Sequence, residues 1–398
     1  MSTEADVVPQ ALRWDAYEIA ARPDPYAGWR AVRERDPLAR GEDGVWLATS
    51  HALVDRLLKD ARFGAGAGVA ASFGAADGPV AKVMATWLMS RDGAPHDRAR
   101  ALVRRSFTPR AVEALAPTIQ QIVDRRVGEI RNAKGEVDLV ERLAFAVPSG
   151  VMQSLFGFDD RTWRGFEALV RGIPDDPGAS LAMIEGLAEA FTAQLEQPSR
   201  AGGLLEALGR PDDHGEGLDR EEIVANAVLL LTAGIDTTAG LIASALHLLL
   251  ERDDLRARVA TEPGFSAAVV EETLRFESPA ISCSRRALED VEIEGRSIRR
   301  DESVLLGLAA ANRDPDRFPE PDRFDPDRET GALLSFGGGR HHCLGAPLAR
   351  LEARLVLEAL FTPETPGIRR LEPATWQRRN PTVRALERLP IRLEGAAS

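Results

Sequence analysis

The ten residues Phe336-Gly-Gly-Gly-Arg-His-His-Cys-Leu-Gly345 place one of the chain's two cysteines inside a glycine-rich loop. Leu344, Leu348, Leu351, Leu355 and Leu357 then recur at helical spacing, which puts Cys343 at a helix N-terminus. Unpaired N–H groups and the macrodipole there favour a thiolate over a thiol. Gly337, Gly338, Gly339 and Gly345 allow positive φ and close backbone approach on both sides of the sulfur, and Phe336 supplies a flat apolar wall. A lone cysteine is most often an inert core residue, but a thiolate in a dry, N–H-lined loop is a good axial ligand for an electron-rich metal centre. A zinc site is not expected, because the adjacent residues His341, His342 and Cys343 cannot all reach one tetrahedral ion. Four-cysteine zinc and iron–sulfur sites are excluded by the two cysteines alone.

A second unusual residue is Asp236, the single acid in the apolar run from Ile223 to Leu250. Burying an acid costs several kcal/mol unless it is solvated or paired, so Asp236 is either paired with an arginine or functional. The neighbours favour function. Gly234 lets another group approach the backbone, and Thr237 can hydrogen-bond to the preceding turn and open a local kink.

The Phe336–Gly345 stretch resembles the haem-binding loop of cytochromes P450, with each fixed position of that pattern filled. The resemblance extends over essentially the whole chain and implies that Cys343 is the axial iron ligand of haem b. It implies further that Phe336, His341 and Gly345 contact the haem, and that Glu272 and Arg275 join Arg323 as a structural brace behind the loop. His96 and Arg100 share one helical face at i,i+4, so two cationic donors can meet an anionic group such as a haem propionate. Arg285, rather than Arg286, matches a further propionate-binding arginine. Ala233-Gly-Ile-Asp-Thr-Thr238 looks like the family's oxygen-activating signature, with Asp236 as acid of a proton relay and Thr237 as its alcohol.

The resemblance implies a haem-thiolate monooxygenase of bacterial type that inserts one atom of dioxygen into an organic molecule. Hydroxylation or epoxidation of a hydrophobic or amphipathic secondary metabolite is expected. Electrons would come from a separate ferredoxin and ferredoxin reductase, steered by Arg104 and Arg105. The substrate could be carrier-protein-bound. The other readings are ring coupling or peroxide-driven oxidation, and a non-catalytic haem-binding protein. The substrate pocket is expected from the loop around Val69 to Leu88, from Ala233, from Pro279 to Ser282 with Ile281, and from the chain near Asn380 to Val383.

The elements that must hold these residues are mostly helical. Helical periodicity covers Pro109 to Ile130, Ile223 to Leu250, Ser266 to Phe276 and Leu344 to Phe361, with Asp219 a cap reinforced by Glu222. Strands are predicted at Val45–Thr49, Val291–Ile293, Ser303–Leu306 and Ile391–Leu393, with a hairpin turn at Glu294-Gly295. The Gly/Ala-rich stretch 61–79 reads as a loop. The expected fold is mainly α with small β-sheets, the α-rich triangular domain of the cytochromes P450, with haem between the long central helix and the cysteine-ligand helix. One domain is expected over 1–398, with a β-containing N-terminal part at roughly 1–60 and a helical core at roughly 80–362.

Composition agrees. A net charge of −12 argues against nonspecific nucleic-acid binding. Ile223–Leu250 could span a bilayer by length, but acids flank both ends, so it reads as a core helix and no membrane association is expected. The N-terminus lacks a basic and apolar leader pattern and cysteines are scarce, so a cytoplasmic location is expected.

Overall fold

The computed structural model describes residue 22 and residues 24–66, 77–171, 177–196, 203–365, 367–377 and 382–394. The helices that position the site are α1 (Tyr26–Arg35), α2 (His51–Lys59), α3 (Gly93–Arg104), α4 (Ala116–Arg131), α5 (Ala146–Phe156), α6 (Pro177–Glu196), α7 (Arg220–Leu250), α8 (Phe265–Phe276) and α9 (Ala346–Leu360). Their apolar faces meet in one large core, and α7 runs through its middle, packed against α5, α6, α8 and α9.

The start of α7 is fixed by a capping box. Asp219 accepts from the Glu222 N–H at 2.8 Å, and Glu222 Oε2 accepts from the Asp219 N–H at 3.1 Å. Most of the helix is buried, as a core helix should be. Pro109 to Ile130 was expected as one helix but forms two, Pro109–Glu113 and α4. Pro117 has no N–H to return to the Glu113 carbonyl, and the chain turns at that point.

Five short strands form the main sheet: β1 (Leu38–Arg40), β2 (Trp46–Ala48), β3 (Phe63–Gly64), β4 (Cys283–Ala287) and β5 (Ser303–Leu306), in the order β1-β2-β5-β4-β3. The pair β2/β5 is parallel, with Trp46 opposite Val304; the other neighbours are antiparallel. The N-terminal strands therefore share a sheet with residues 283–306 and do not stand as a part of their own. Strand β3 lies within the stretch read as a loop. Val291–Ile293 and Arg296–Ile298 form the expected hairpin, with Glu294 and Gly295 both at positive φ (49° and 72°). A further sheet joins Glu136–Asp138, Pro390–Leu393 and Ile368–Arg370, and Thr375–Trp376 pairs with Leu386–Arg388.

Candidate active site

The cysteine loop is held at both ends by backbone bonds. Gly337 N–H donates to Leu334 O at 2.8 Å, and Cys343 N–H returns to Phe336 O at 3.0 Å. Gly337 and Gly339 take φ of 66° and 63°, which other residues adopt only with strain. At Gly339 a Cβ would also collide with the Leu58 carbonyl oxygen, so this glycine is demanded by the end of α2. Gly338 and Gly345 do not use positive φ; Gly345 (φ −79°) is the residue before α9, and a Cβ there would meet only the Cys343 sulfur. Asn312, fully buried, accepts from Leu334 N–H at 2.9 Å and donates to Ser335 Oγ at 2.7 Å, which donates on to Leu274 O at 2.6 Å. Arg350 lies over the Phe336 ring at 4.5 Å and pairs with Glu271. Sequence reasoning missed Asn312 and Arg350, whose only signal was a polar residue among apolar neighbours and an ordinary helix-face arginine.

Cys343 is exposed by area, yet protein encloses its sulfur. The residue is accessible although protein surrounds it, so it lines an open space within the fold. Burial pushes the thiol up, and the N–H groups of Gly345 and Ala346 with the Arg100 and Arg350 guanidiniums do not reverse this. The helix N-terminus alone therefore does not bring the thiol below its ordinary value.

The middle of α7 is less buried than the turns on either side of it. Ala233 is exposed and Gly234, Asp236 and Thr237 are half-exposed, whereas Ile235, Leu231 and Leu241 are buried. Thr237 Oγ1 donates to Ala233 O at 2.8 Å, the expected back-bond. The helical assignment of α7 runs continuously through this turn. A Cβ at Gly234 would press on Met152 Sδ at 3.0 Å, so that glycine serves contact with α5.

A polar cluster borders the same region. His96 on α3 is fully buried, with Nδ1 2.9 Å from Asp97 Oδ1 and with Nε2 unpartnered among the described residues. Burial lowers its pKa, which favours the neutral ring. Its ring lies 4.3 Å from that of His341, whose Nε2 is 3.2 Å from Asp92 Oδ1. Asp92 also accepts from Ala65 N–H at 3.1 Å and Gly66 N–H at 2.9 Å. Burial would raise its carboxyl, but His341 and these two N–H groups hold it far below the usual range. Arg100 Nη2 donates to His342 O at 2.5 Å, on the cysteine loop. Strand alternation separates the two arginines of β4. Arg285 is buried, with Nη1 donating to Ser284 O at 2.9 Å, while Arg286 turns outward to Asp301 at 3.4 Å.

Behind the loop, Arg275 and Glu272 are both fully buried and joined by two bonds of 2.8 Å. Arg275 also reaches the carbonyls of Asn312, Pro321 and Arg323. The expectation for Arg323 needs correction. Its guanidinium is exposed and pairs with Glu320 and Asp325, and only its carbonyl enters the brace. The third cation is Arg328, nearly buried, with Nε 3.6 Å from Glu272 Oε1. The 323–328 segment is an irregular loop, so sequence spacing could not give the direction of either side chain.

Of the pocket candidates, Ala233 is exposed on α7, Leu88 is buried in the main core, and Ile281 packs with Tyr26 and Ala309. Residues 67–76 and 378–381, which contain parts of the expected pocket loops, lie outside the described residues. Arg105 is exposed like Arg104 and donates to Arg210 O at 2.7 Å and Pro211 O at 3.2 Å.

A flat macrocycle with an axial thiolate and acidic side arms needs a sulfur facing a gap, an apolar wall and buried donors with spare capacity. Cys343, Phe336 and the unpartnered His96 Nε2 provide these. The cytochrome P450 family profile matches residues 265–362. The cytochrome P450 monooxygenase PikC of Streptomyces venezuelae is 34% identical over 93% of this chain and 91% of its own length. The 6-deoxyerythronolide B hydroxylase of Saccharopolyspora erythraea is 35% identical over 96% of this chain and 98% of its own. The crystal structure of CalO2 superposes with a TM-score of 0.86 at 29% identity, over 97% of this chain and all of that one. The chain belongs to the cytochrome P450 family and has its fold. It is a haem-thiolate monooxygenase of the bacterial type.

Proposed function

We propose that Cys343 is the axial ligand of haem b and that the gap between the cysteine loop and the middle of α7 is the reaction chamber. The unpartnered His96 Nε2 carries this reading, because a buried nitrogen with no acceptor costs free energy unless a ligand supplies one. His96 and Arg285, with Arg100 and His341 beside them, would hold the two carboxylates of the haem. Bound there, the haem supplies the reduction of dioxygen and the transfer of one oxygen atom to the substrate.

The remaining work falls to this chain's own side chains. Thr237 gives its hydroxyl hydrogen to Ala233 O, so at the gap its oxygen accepts. It can hold a water or a protonated group there, and Asp236, one residue earlier, is the acid that resupplies the proton. Glu272, Arg275 and Arg328 keep the loop from moving, with Asn312 pinning its first residues. Ala233 and Gly234 leave room over the site for a hydrophobic or amphipathic substrate of secondary metabolism, which is hydroxylated or epoxidised.

Electrons come from a ferredoxin and its reductase in the cytoplasm. Arg104 and Arg105 line an open groove of about 330 Å³ with Asp97, Arg100 and Thr108, next to the helix whose Arg100 touches the loop carrying Cys343. Both arginines are placed to meet an acidic partner there. The test is turnover under ¹⁸O₂, with a ferredoxin and reductase, of a compound that shifts the ferric spectrum. One labelled oxygen in the product supports the reading. Product formed only with peroxide, or without label, rejects it.

A further inference from the structure

The exposed stripe of α7 has a definite end. Gly240 lies about 20° around the helix from Ala233 at 100° per residue, so the two share a face. Gly240 is buried, and a Cβ there would meet Arg384 O at 3.2 Å, with Ala385 Cβ and Pro279 Cβ at 3.3 Å. Two segments thus cross the helix just beyond Thr237 and close the gap at that end. They are bonded to each other: Arg384 N–H donates to Pro279 O at 2.7 Å, and Ile281 N–H to Thr382 O at 3.0 Å.

Both segments are anchored from behind by one buried cluster. Arg384, 1% exposed, bonds Glu277 through Nε, and its Nη1 donates to Arg22 O at 2.7 Å. Its guanidinium stacks 3.4 Å over the Trp376 ring. The hydroxyl of Tyr26, also buried, donates to Glu277 Oε1 at 3.1 Å, and Arg313 covers the Tyr26 ring at 3.8 Å. Residues from the chain's N-terminal segment, from the end of α8 and from its C-terminal segment therefore meet at one carboxylate. Breaking one arm of such a buried pair leaves the others undercompensated, so the cluster resists small displacements.

We propose that Arg384 and Tyr26, acting through Glu277, are positioning residues that hold the end wall of the substrate cavity against Gly240 and thereby limit how long a substrate the enzyme accepts. The proposal rests on reading the gap beside α7 as the substrate cavity. Weakening the cluster lets the wall recede and lengthens the cavity along α7.

The test uses the ferric holoprotein and two variants: Tyr26→Phe and Arg384→Lys. Imidazole and 4-phenylimidazole are titrated separately by their spectral shifts, and amide exchange is followed by mass spectrometry. Tyr26→Phe is expected to raise the preference for 4-phenylimidazole over imidazole by about fivefold, the scale of one lost hydrogen bond. In Tyr26→Phe, exchange should quicken in 279–284 and 382–388 and stay unchanged in 335–345. Arg384→Lys keeps the charge but not the stack and the bond to Arg22 together, and should shift the preference in the same direction. An unchanged or reduced preference overturns the proposal, as does a loss of affinity for both azoles in step with thermal stability. A wild-type protein with no azole shift would instead refute the haem reading. Exchange then decides alone: quickening confined to the two wall segments supports the wall anchor, and its absence overturns it.

Discussion

Glu352 sits two turns along the cysteine-ligand helix, 2% exposed, with Oε2 unpartnered among the described residues. Burial pushes its carboxyl well above the ordinary value of 4.5, which favours the protonated form in the fold. The unfolded chain ionises above about 4.5, so the stability contributed by this group is complete below that pH and is lost as pH rises toward the folded value. Glu352→Gln is expected to flatten the fall in stability between pH 5 and pH 8, read by urea unfolding at each pH; equal slopes would show that Glu352 is not protonated. The brace makes a second prediction at this scale. Arg328→Ala should cost about 2 kcal/mol, because it strips a cation from a buried carboxylate. Arg323→Ala should stay within about 0.5 kcal/mol, because its side chain is in water and its carbonyl is retained. The same urea melts compare them, and the reverse order would restore Arg323 to the brace. The contrast shows what the sequence could carry. Cys343, Glu272 and Arg275 are fixed by spacing along one loop and one helix, whereas the choice between Arg323 and Arg328 depends on how an irregular segment turns.

Among the elements, those with a strong local signal were legible. Asp219 and Glu222 announce the start of α7, and the box forms as the spacing requires. Asp219→Ala is expected to cost about 1 kcal/mol of stability, and Asp219→Asn much less, measured by thermal unfolding; equal losses would mean that the cap contributes nothing. Where tertiary contacts decide, reading failed. Strand β3 is two residues long and exists because Ala287 and Arg286 of β4 pair with it. The Thr237 back-bond to Ala233 O was legible from the residue type and its place in a helical run. Ile281 was assigned to the pocket by its neighbourhood in sequence, but it turns toward Tyr26, more than 200 residues earlier in the chain.

At the scale of the molecule, the active site is assembled from pieces distant in sequence. The cysteine loop leans on α2 through Gly339, and the histidine pair joins α3 to that loop. The end wall joins both terminal segments to α8. This explains how the chemistry could be read from one motif while the shape of the pocket could not: the motif is local, and the pocket is built from long-range contacts. The central claim is that these pieces hold a haem whose iron is ligated by the Cys343 sulfur. The carbon monoxide adduct of the reduced, purified protein tests it most directly. The strongly red-shifted Soret band of a thiolate-ligated haem is predicted for the wild type, and its loss in Cys343→Ser. A wild-type band at the position seen for imidazole-ligated haem, or one that survives in Cys343→Ser, would contradict the account.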